Sequence, residues 1–486
     1  MHTARVTTVA PEGLSGRLVT VEVAARPGIS SLKIVGLAGR TVAEAKERVR
    51  VALRGCGVKL PATNIVVNLA PAEVSKTGTH YDLPIALGLL IATKAIPANS
   101  LDGVVVAAEL ALNGDLCPVR HGAIIAFTAE QKNLKLLTAA GNLPSASLSR
   151  QLRVATSPNL AQLIDELKNG SLNFRHPPSA ATTSLPAETN FEDIVGLAQP
   201  KRALLLAAAG HHHLLLCGSP GVGKSLLANT IISLLPPLSD QQRRTLTALH
   251  GKPITSPPWR SPHHSATTTA IIGGGTELHP GEISLAHGGV LFLDELPRFN
   301  PTTLQALLEP IETARVQLSR DARSVDYPAG ALVVGAYNPC PCGYYGDAKI
   351  SCRCSSHVLN RYQARLSGPL MSRFSLFAPC HSSQTKCELT TASARELVSL
   401  ANAQIVRRSQ TVPNGRAPTK LVRQWLEPPK LADQASRLLR GGRSWRAVIN
   451  AGRLARTIAD VDGSLNINPE HLAEAIGWLP PIQDVI

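Results

Sequence analysis

One octapeptide constrains this chain more than any other stretch. Gly218-Ser219-Pro220-Gly221-Val222-Gly223-Lys224-Ser225 fits the spacing G-x-x-x-x-G-K-S/T. It follows the apolar run Leu214–Cys217 and opens a helical run from Leu226 to Leu235, so the sequence predicts buried strand, loop and helix in that order. Glycines there let backbone N–H groups wrap phosphates at a helix N-terminus. Lys224 offers a cation to the β and γ phosphates, and the Ser225 hydroxyl can ligate magnesium. The expected nucleotide contacts run from Gly218 through Leu226, with ATP and Mg2+ as the ligands.

Two more apolar runs stop at polar groups. Sixty-six residues beyond Lys224, Val290-Leu-Phe-Leu begins and ends at Asp294-Glu295. Asp294 is expected to hold the magnesium through its water shell, and Glu295 to polarise the attacking water. The run Ala331–Gly335 leads through Ala336 and Tyr337 into Asn338-Pro339, where a neutral amide can orient that water without adding charge. Ser367-Gly-Pro-Leu-Met-Ser-Arg373-Phe carries an arginine after a Gly and Pro break, within reach of a neighbouring copy's γ-phosphate. An arginine acting in trans stabilises developing charge and requires an oligomer.

At roughly 100 to 200 residues per domain, 486 residues make two to four domains. A Pro-, Ser- and Thr-rich stretch with no apolar period sets a linker at 171–190, after a first domain at 1–170. Upstream, strands Asn64–Leu69 and Val104–Ala107 alternate with helices Thr41–Arg54 and Leu83–Ala92, an α+β layer pattern. An α/β nucleotide core is expected at 191–388. From 389 to 486 helical periods take over at Ala392–Ser409, Lys430–Leu439 and Trp445–Asp460. Met1–Gly13 has no apolar targeting core, and the run Leu83–Thr93 falls short of the ~20 residues that span a bilayer, so a cytoplasmic chain without a membrane partner is expected.

Composition narrows the partners. Lys plus Arg number 49 against 34 acids, a net +15, which favours a polyanion such as nucleic acid, while 3% aromatics make the grip electrostatic rather than stacked. Between Arg395 and Arg456 thirteen cations face three acids, a local balance of +10 that reads as a basic helical face. The segment Arg260–Gly275, with His263-His264 and the tip Gly273-Gly-Gly275, reads as a DNA-contacting loop; His211-His-His213 reads as surface. Cys340-x-Cys342 and Cys352-x-Cys354 can give four thiolates to one structural zinc, with reduced packed cysteines or a redox pair as alternatives. Cys56, Cys117, Cys217, Cys380 and Cys387 are scattered thiols.

These segments together resemble the Mg-chelatase-like branch of the AAA+ ATPases, specifically its ComM/YifB group. The resemblance runs through Arg260–Ser265, Ile272–Gly275, Pro280–His287, Val290–Pro297, Asn338–Asp347, Cys352–Cys354 and Ala364–Leu370. It extends upstream to Ile34–Leu37, Glu47–Arg50, Val67–Ala72 and Asp82–Ala86, and downstream to Ala455–Asp460. It implies a multidomain α/β chain: an N-terminal domain with the Lon protease fold, a central AAA+ P-loop domain and a C-terminal helical lid. It also implies a homohexameric ring with nucleotide at subunit borders, acting as a DNA helicase on branched or single-stranded DNA in recombination and natural transformation. Lys224, Ser225, Asp294, Glu295, Asn338 and Arg373 fall on the family's Walker A, Walker B, sensor 1 and arginine-finger positions, and Arg446 falls near its sensor 2 arginine.

Departures from the family pattern cluster near Arg373, where Ser372 and Ser375 replace flanking acids and Phe374 replaces an aliphatic. Arg298, Tyr337 and Asn450 replace the usual Glu, Met and Arg. An active Lon-type domain pairs a Ser with a Lys; Asp82-Leu-Pro-Ile-Ala86 has no hydroxyl where that serine would stand, so a non-proteolytic domain is expected, with Ser75 and Lys76 badly placed as substitutes. Competing readings are a chelatase motor subunit that drives magnesium insertion and a nucleotide-dependent chaperone or scaffold.

Overall fold

The computed structural model describes residues 2–29, 31–37, 39–58, 63–178, 189–320, 323–347, 349–366, 368–381 and 389–481. Cys387 and much of the expected linker, 179–188, lie outside the described residues. The chain is a multidomain α/β protein in two compact units, Met1–Thr183 with Ser239–Thr255, and Ser184–Leu238 with Ser256–Ile486.

The first unit is built on a mixed seven-stranded sheet. Its order is Ser31–Val35, Thr63–Ala70, Ser15–Pro27, His2–Glu12, Val104–Ala107, Lys135–Thr138, Val154–Thr156. A long hairpin, His2–Glu12 with Ser15–Pro27, pairs antiparallel at the centre, and parallel strands flank it. Helix Asp82–Ala92 is apolar all round and buried along its whole length, as a helix without a polar face must be. Its one charged residue, Asp82, accepts a bidentate pair from Arg48 at 2.7 and 2.9 Å. Close by in sequence, Ser75 is exposed, whereas Lys76 is buried and gives its ammonium to the Pro71 carbonyl, so the two side chains occupy different environments.

Two boundaries differ from the sequence reading. Arg175, placed in the linker, exchanges backbone bonds with Val154 at 2.7 and 3.0 Å and so belongs to the first unit. Ser239–Thr255, placed in the nucleotide core, also packs there: Arg150 pairs with Asp240 at 2.6 Å, Arg244 pairs with Glu130 and lies 4.7 Å over the Phe127 ring. Helix Asp240–His250 buries Leu246, Thr247 and Ala248, a patch too short to say by sequence which unit covers it.

The second unit carries a five-stranded sheet, all parallel, in the order Trp259–Arg260, Val290–Leu293, Leu332–Tyr337, Leu214–Gly218, Leu376–Cys380. The inner strands are fully apolar because helices cover both faces. The Ala-rich helix Ala198–Gly210 packs on one face, and the helices Thr391–Arg407 and Trp445–Val461 share a hydrophobic core with it within the second unit. Asp460, fully buried, is held by Arg408 at 2.6 Å, by Arg456 at 2.9 Å and by Asn414 at 2.8 Å. No described helix is long and apolar enough to cross a membrane.

Removing one member of a buried, fully bonded ion pair leaves the other charge unmatched. Arg48→Ala, which strands the fully buried Asp82 carboxylate, should therefore destabilise the first unit by about 3–5 kcal/mol. Arg17→Ala, which breaks an exposed pair with Glu12, should cost at most about 1 kcal/mol. Denaturant titration of both variants checks the contrast, and equal losses would refute it.

Candidate nucleotide site

Three neighbouring parallel strands bring their carboxyl ends to one edge of the sheet. Leu214–Gly218 delivers the glycine loop, Val290–Leu293 delivers Asp294 and Glu295, and Leu332–Tyr337 delivers Asn338. Gly221 and Gly223 stand at φ +76° and +91° with open space around a notional Cβ, so backbone conformation rather than crowding demands glycine there. Among the described residues, no backbone acceptor takes the N–H groups of Gly221 to Leu226, while the next N–H, Leu227, bonds Gly223 at 2.8 Å.

Lys224 is 9% exposed and its ammonium donates to Gly218 O at 2.7 Å, Ser219 O at 3.0 Å and Asn338 Oδ1 at 2.9 Å. Burial lowers its pKa from the usual lysine value. A cation satisfied only by neutral oxygens, beside a row of unpaired N–H groups, suits the phosphates of a nucleotide. Ser225 Oγ donates to Asp294 Oδ2 at 2.8 Å, which sets the two expected magnesium ligands side by side. Glu295 sits at φ +52°, a left-handed conformation costly for a residue with a side chain. Its carboxylate lies 3.1 Å from Arg298 Nη1 and 3.4 Å from His264 Nδ1. Lys224, Asp294, Glu295, Asn338, Arg361 and Tyr362 line one cavity of about 240 Å³.

The four cysteines gather directly after Asn338. Their sulfurs lie within 4.8 Å of one another, with Cys340–Cys352 at 3.7 Å and Cys342–Cys352 at 3.6 Å. The sulfurs of a tetrahedral zinc site with 2.3 Å bonds stand about 3.8 Å apart, so the donor set fits that ion. Backbone N–H groups of Arg353 and Tyr344 pull the Cys342 thiol down to about 6. The cluster is fastened to the nucleotide loop: Ser219 Oγ donates to Asp347 Oδ2 at 2.7 Å, Gly343 abuts Pro220, and Tyr362 donates to Asn338 O at 3.1 Å.

Arg373 and Arg446 do not line the Lys224 cavity. They meet instead on Glu312, Arg373 at 2.7 Å and Arg446 at 3.1 Å, and Asn450 donates to the Ser372 carbonyl at 3.1 Å. Glu312 escapes a sequence reading because nothing in its local pattern distinguishes it from an ordinary helix-surface acid.

Three expectations need correcting. His211–His213 is not a surface run: His212 and His213 are buried, His212 bonds Thr457 Oγ1 at 2.7 Å, and His213 accepts from Val333 N–H at 3.0 Å. Burial holds both down at about 3, so they stay neutral. Nor do the thirteen cations of 395–456 form one face, since Arg456 is 3% exposed and Arg408 pairs with Asp460. The glycine tip is shorter than expected: Thr268–Ile272 is helical and only Gly273 and Gly274 pair, with Pro280 and His279. Beside it stands a hairpin that periodicity alone had not singled out, Arg315–Arg320 with Arg323–Pro328, bonded to the tip by Tyr327 OH to Leu278 O at 2.9 Å and Arg323 to Thr276 O at 3.3 Å.

Sheet order, glycine loop and converging strand ends define a P-loop α/β ATPase-like core. Comparison with known families gives the same class: the magnesium chelatase subunit ChlI family matches 190–387, a further ChlI family matches 21–142, and its C-terminal family matches 388–478. The uncharacterized protein YifB of Escherichia coli is 38% identical over 499 residues, covering 98% of this chain and 97% of its own length. Competence protein ComM of Haemophilus influenzae is 38% identical over 513 residues, with 98% and 97% covered. The magnesium-chelatase 67 kDa subunit of Chlorobaculum parvum is 27% identical over 161 residues, 31% of this chain and 23% of that protein. The chain belongs to the Mg-chelatase-like ComM/YifB family, whose ATPase part is of AAA+ type.

Gly343 stands at φ +89°, and an added Cβ would run into Pro220 of the nucleotide loop; Gly346, at φ +78°, faces open space. Both alanine substitutions meet the same backbone strain of roughly 1–2 kcal/mol, but only the first displaces the loop. Titration with a fluorescent ATP analogue should show Gly343→Ala binding about tenfold more weakly and Gly346→Ala nearly as the parent. Equal behaviour would show that the cysteine segment does not brace the loop.

Proposed function

We propose that this protein is an ATP-driven ring motor acting on DNA, moving branched or single-stranded substrates, with branch migration of recombination junctions as its task. The observation that carries the reading is the division of charged groups: Lys224, Asp294, Glu295 and Asn338 share one cavity, with Ser225 bonded to Asp294, while Arg373 and Arg446 are held elsewhere on the same chain. Arg298, Arg361 and Arg365 line that cavity already, and reading Arg373 and Arg446 as groups that act on a neighbour's nucleotide implies a second copy. The name of the relative ComM, which refers to competence, supports a role with DNA.

ATP is the substrate, cradled by the loop Gly218–Leu226. Ser225 and Asp294 would hold magnesium, which would neutralise charge on the triphosphate. Lys224 exchanges its carbonyl partners for phosphate oxygens and frees the Asn338 amide to orient a water. Glu295 takes that water's proton once its carboxylate has left Arg298. Arg373 reaches the γ-phosphate of the neighbouring copy, with Arg446 beside it, in a homohexamer. The helices from Thr391 to Gly477 serve as the lid, the four cysteines hold a structural zinc, and the first unit is a non-proteolytic Lon-like domain that assembles the ring or guides substrate. The Gly273–Pro280 tip and the Arg315–Pro328 hairpin, joined by hydrogen bonds, are the DNA-contacting elements. The matches to magnesium chelatase families favour a chelatase subunit as the second reading.

Movement of a labelled four-way junction should require ATP and disappear in Lys224→Ala and Glu295→Gln; wild-type activity no higher than either variant removes the DNA motor reading. Arg373→Ala should keep nucleotide affinity and assembly while hydrolysis falls by roughly 10³ or more; an unchanged rate assigns the finger to another arginine. Metal analysis should find one zinc per chain, lost in Cys352→Ser together with order in the loop after Asn338.

A further inference from the structure

A second cavity in the same unit, of about 130 Å³, is walled by Arg373, Arg416, Arg446, Arg453, Glu312 and His211. Four guanidinium groups thus face one carboxylate, and that carboxylate is already shared between Arg373 and Arg446 at the half-exposed rim. Among the described residues, Arg416 and Arg453 make no ion pair. Arg453 donates to Ala417 O at 3.0 and 2.7 Å, and Arg416 to Ala331 O at 3.4 Å. Burial pulls Arg416 down to about 10 and lowers Arg453 as well, so water does little to stabilise either charge.

Three polar atoms of this wall are buried with no partner: Nε of Arg373, Nε of Arg416 and Nδ1 of His211. A buried donor left unpaired costs free energy, and a buried cation costs more unless an anion accompanies it. Arg408 and Arg456 show the compensated case in the same unit, both bonded to Asp460. Among the described residues neither Arg416 nor Arg453 is bonded to a carboxylate, and Glu312 acts on Arg453 only through space. Guanidinium forks match the geometry of tetrahedral oxyanions, which accept several N–H bonds at once.

We propose that this cavity is an oxyanion site of the phosphate class, with Arg416 and Arg453 as its floor and Arg373 and Arg446 as its rim. Glu312 is the resident counter-anion of the rim and gives way when the ligand enters. The oxyanion is either the terminal phosphate of a nucleotide held by a neighbouring copy or free inorganic phosphate. Only the first source rests on the trans-acting reading of Arg373.

The test uses the full-length chain carrying Lys224→Ala, which removes phosphate affinity at the glycine loop. Inorganic phosphate is titrated calorimetrically against chloride at equal ionic strength. Saturable uptake with single-site stoichiometry is expected. Glu312→Gln removes the competing carboxylate and should tighten it at least about threefold. Arg416→Gln should weaken it about tenfold or more, with circular dichroism confirming the fold. A gain on Glu312→Gln cannot come from misfolding, so that variant keeps the test decisive. No uptake in Lys224→Ala, an unchanged affinity in Glu312→Gln, or chloride matching phosphate would overturn the site and leave ordered water as the partner of the orphaned donors. Wild-type chain with its glycine loop filled by ADP, compared with chain filled by a non-hydrolysable ATP analogue, then separates the sources. Phosphate uptake kept with ADP and lost with the analogue assigns the cavity to a neighbour's terminal phosphate, and uptake kept with both assigns it to free phosphate. Failure of the junction assay would leave these titrations untouched.

Discussion

A buried ammonium surrounded by neutral oxygens organises the second unit. Lys224 is satisfied because Gly218 and Ser219 turn their carbonyls toward it and because the strand Leu332–Tyr337 presents Asn338 at hydrogen-bond distance. Each of those partners is weaker than an anionic oxygen, so the arrangement holds the lysine ready without competing with phosphate for it. The parallel register of three strands is what makes this possible, since it aligns residues separated by more than a hundred positions in sequence at one sheet edge.

Charge is treated in two ways across the molecule. Some buried ions meet a counter-ion, as in Arg48 with Asp82 and in Arg408 and Arg456 with Asp460. Others are left with carbonyls and amides: Lys76 with Pro71, Lys201 with Ile194, and Lys224, Arg416 and Arg453 with theirs. What sets the last three apart is that they line cavities, Lys224 one and Arg416 with Arg453 another, where an anion can enter and offset the cost of an unpaired buried charge.

The substitutions that separate this chain from its family pattern now have surroundings. Arg298 lies against Glu295, adding a cation beside the candidate base. Asn450 braces the Ser372 carbonyl next to Arg373, a neutral contact where the usual arginine would add charge to an already cationic region. Ser372 itself bonds both Arg373 and Arg446, so the lost carboxylate setting of Arg373 is replaced by a hydroxyl nearby and by Glu312 from another helix. Nothing in the structure explains Phe374 over an aliphatic beyond its place in the buried core.

How much was legible follows from the range of each interaction. The glycine loop, the acid-tipped strand, Asn338 and the cysteine pairs announce themselves because their chemistry is set by near neighbours in the chain: a glycine spacing, an apolar run that stops at acids, two thiols a residue apart. The parallel sheet and the main helices followed from the same short-range periodicities. Sequence alone could not place Ser239–Thr255 in the first unit, bury His212 and His213, join Arg373 and Arg446 on Glu312, or bond Arg416 and Arg453 to carbonyls. Those outcomes depend on which side chains meet across the fold, and burial sets the energy of a charge or an imidazole only after that meeting is decided.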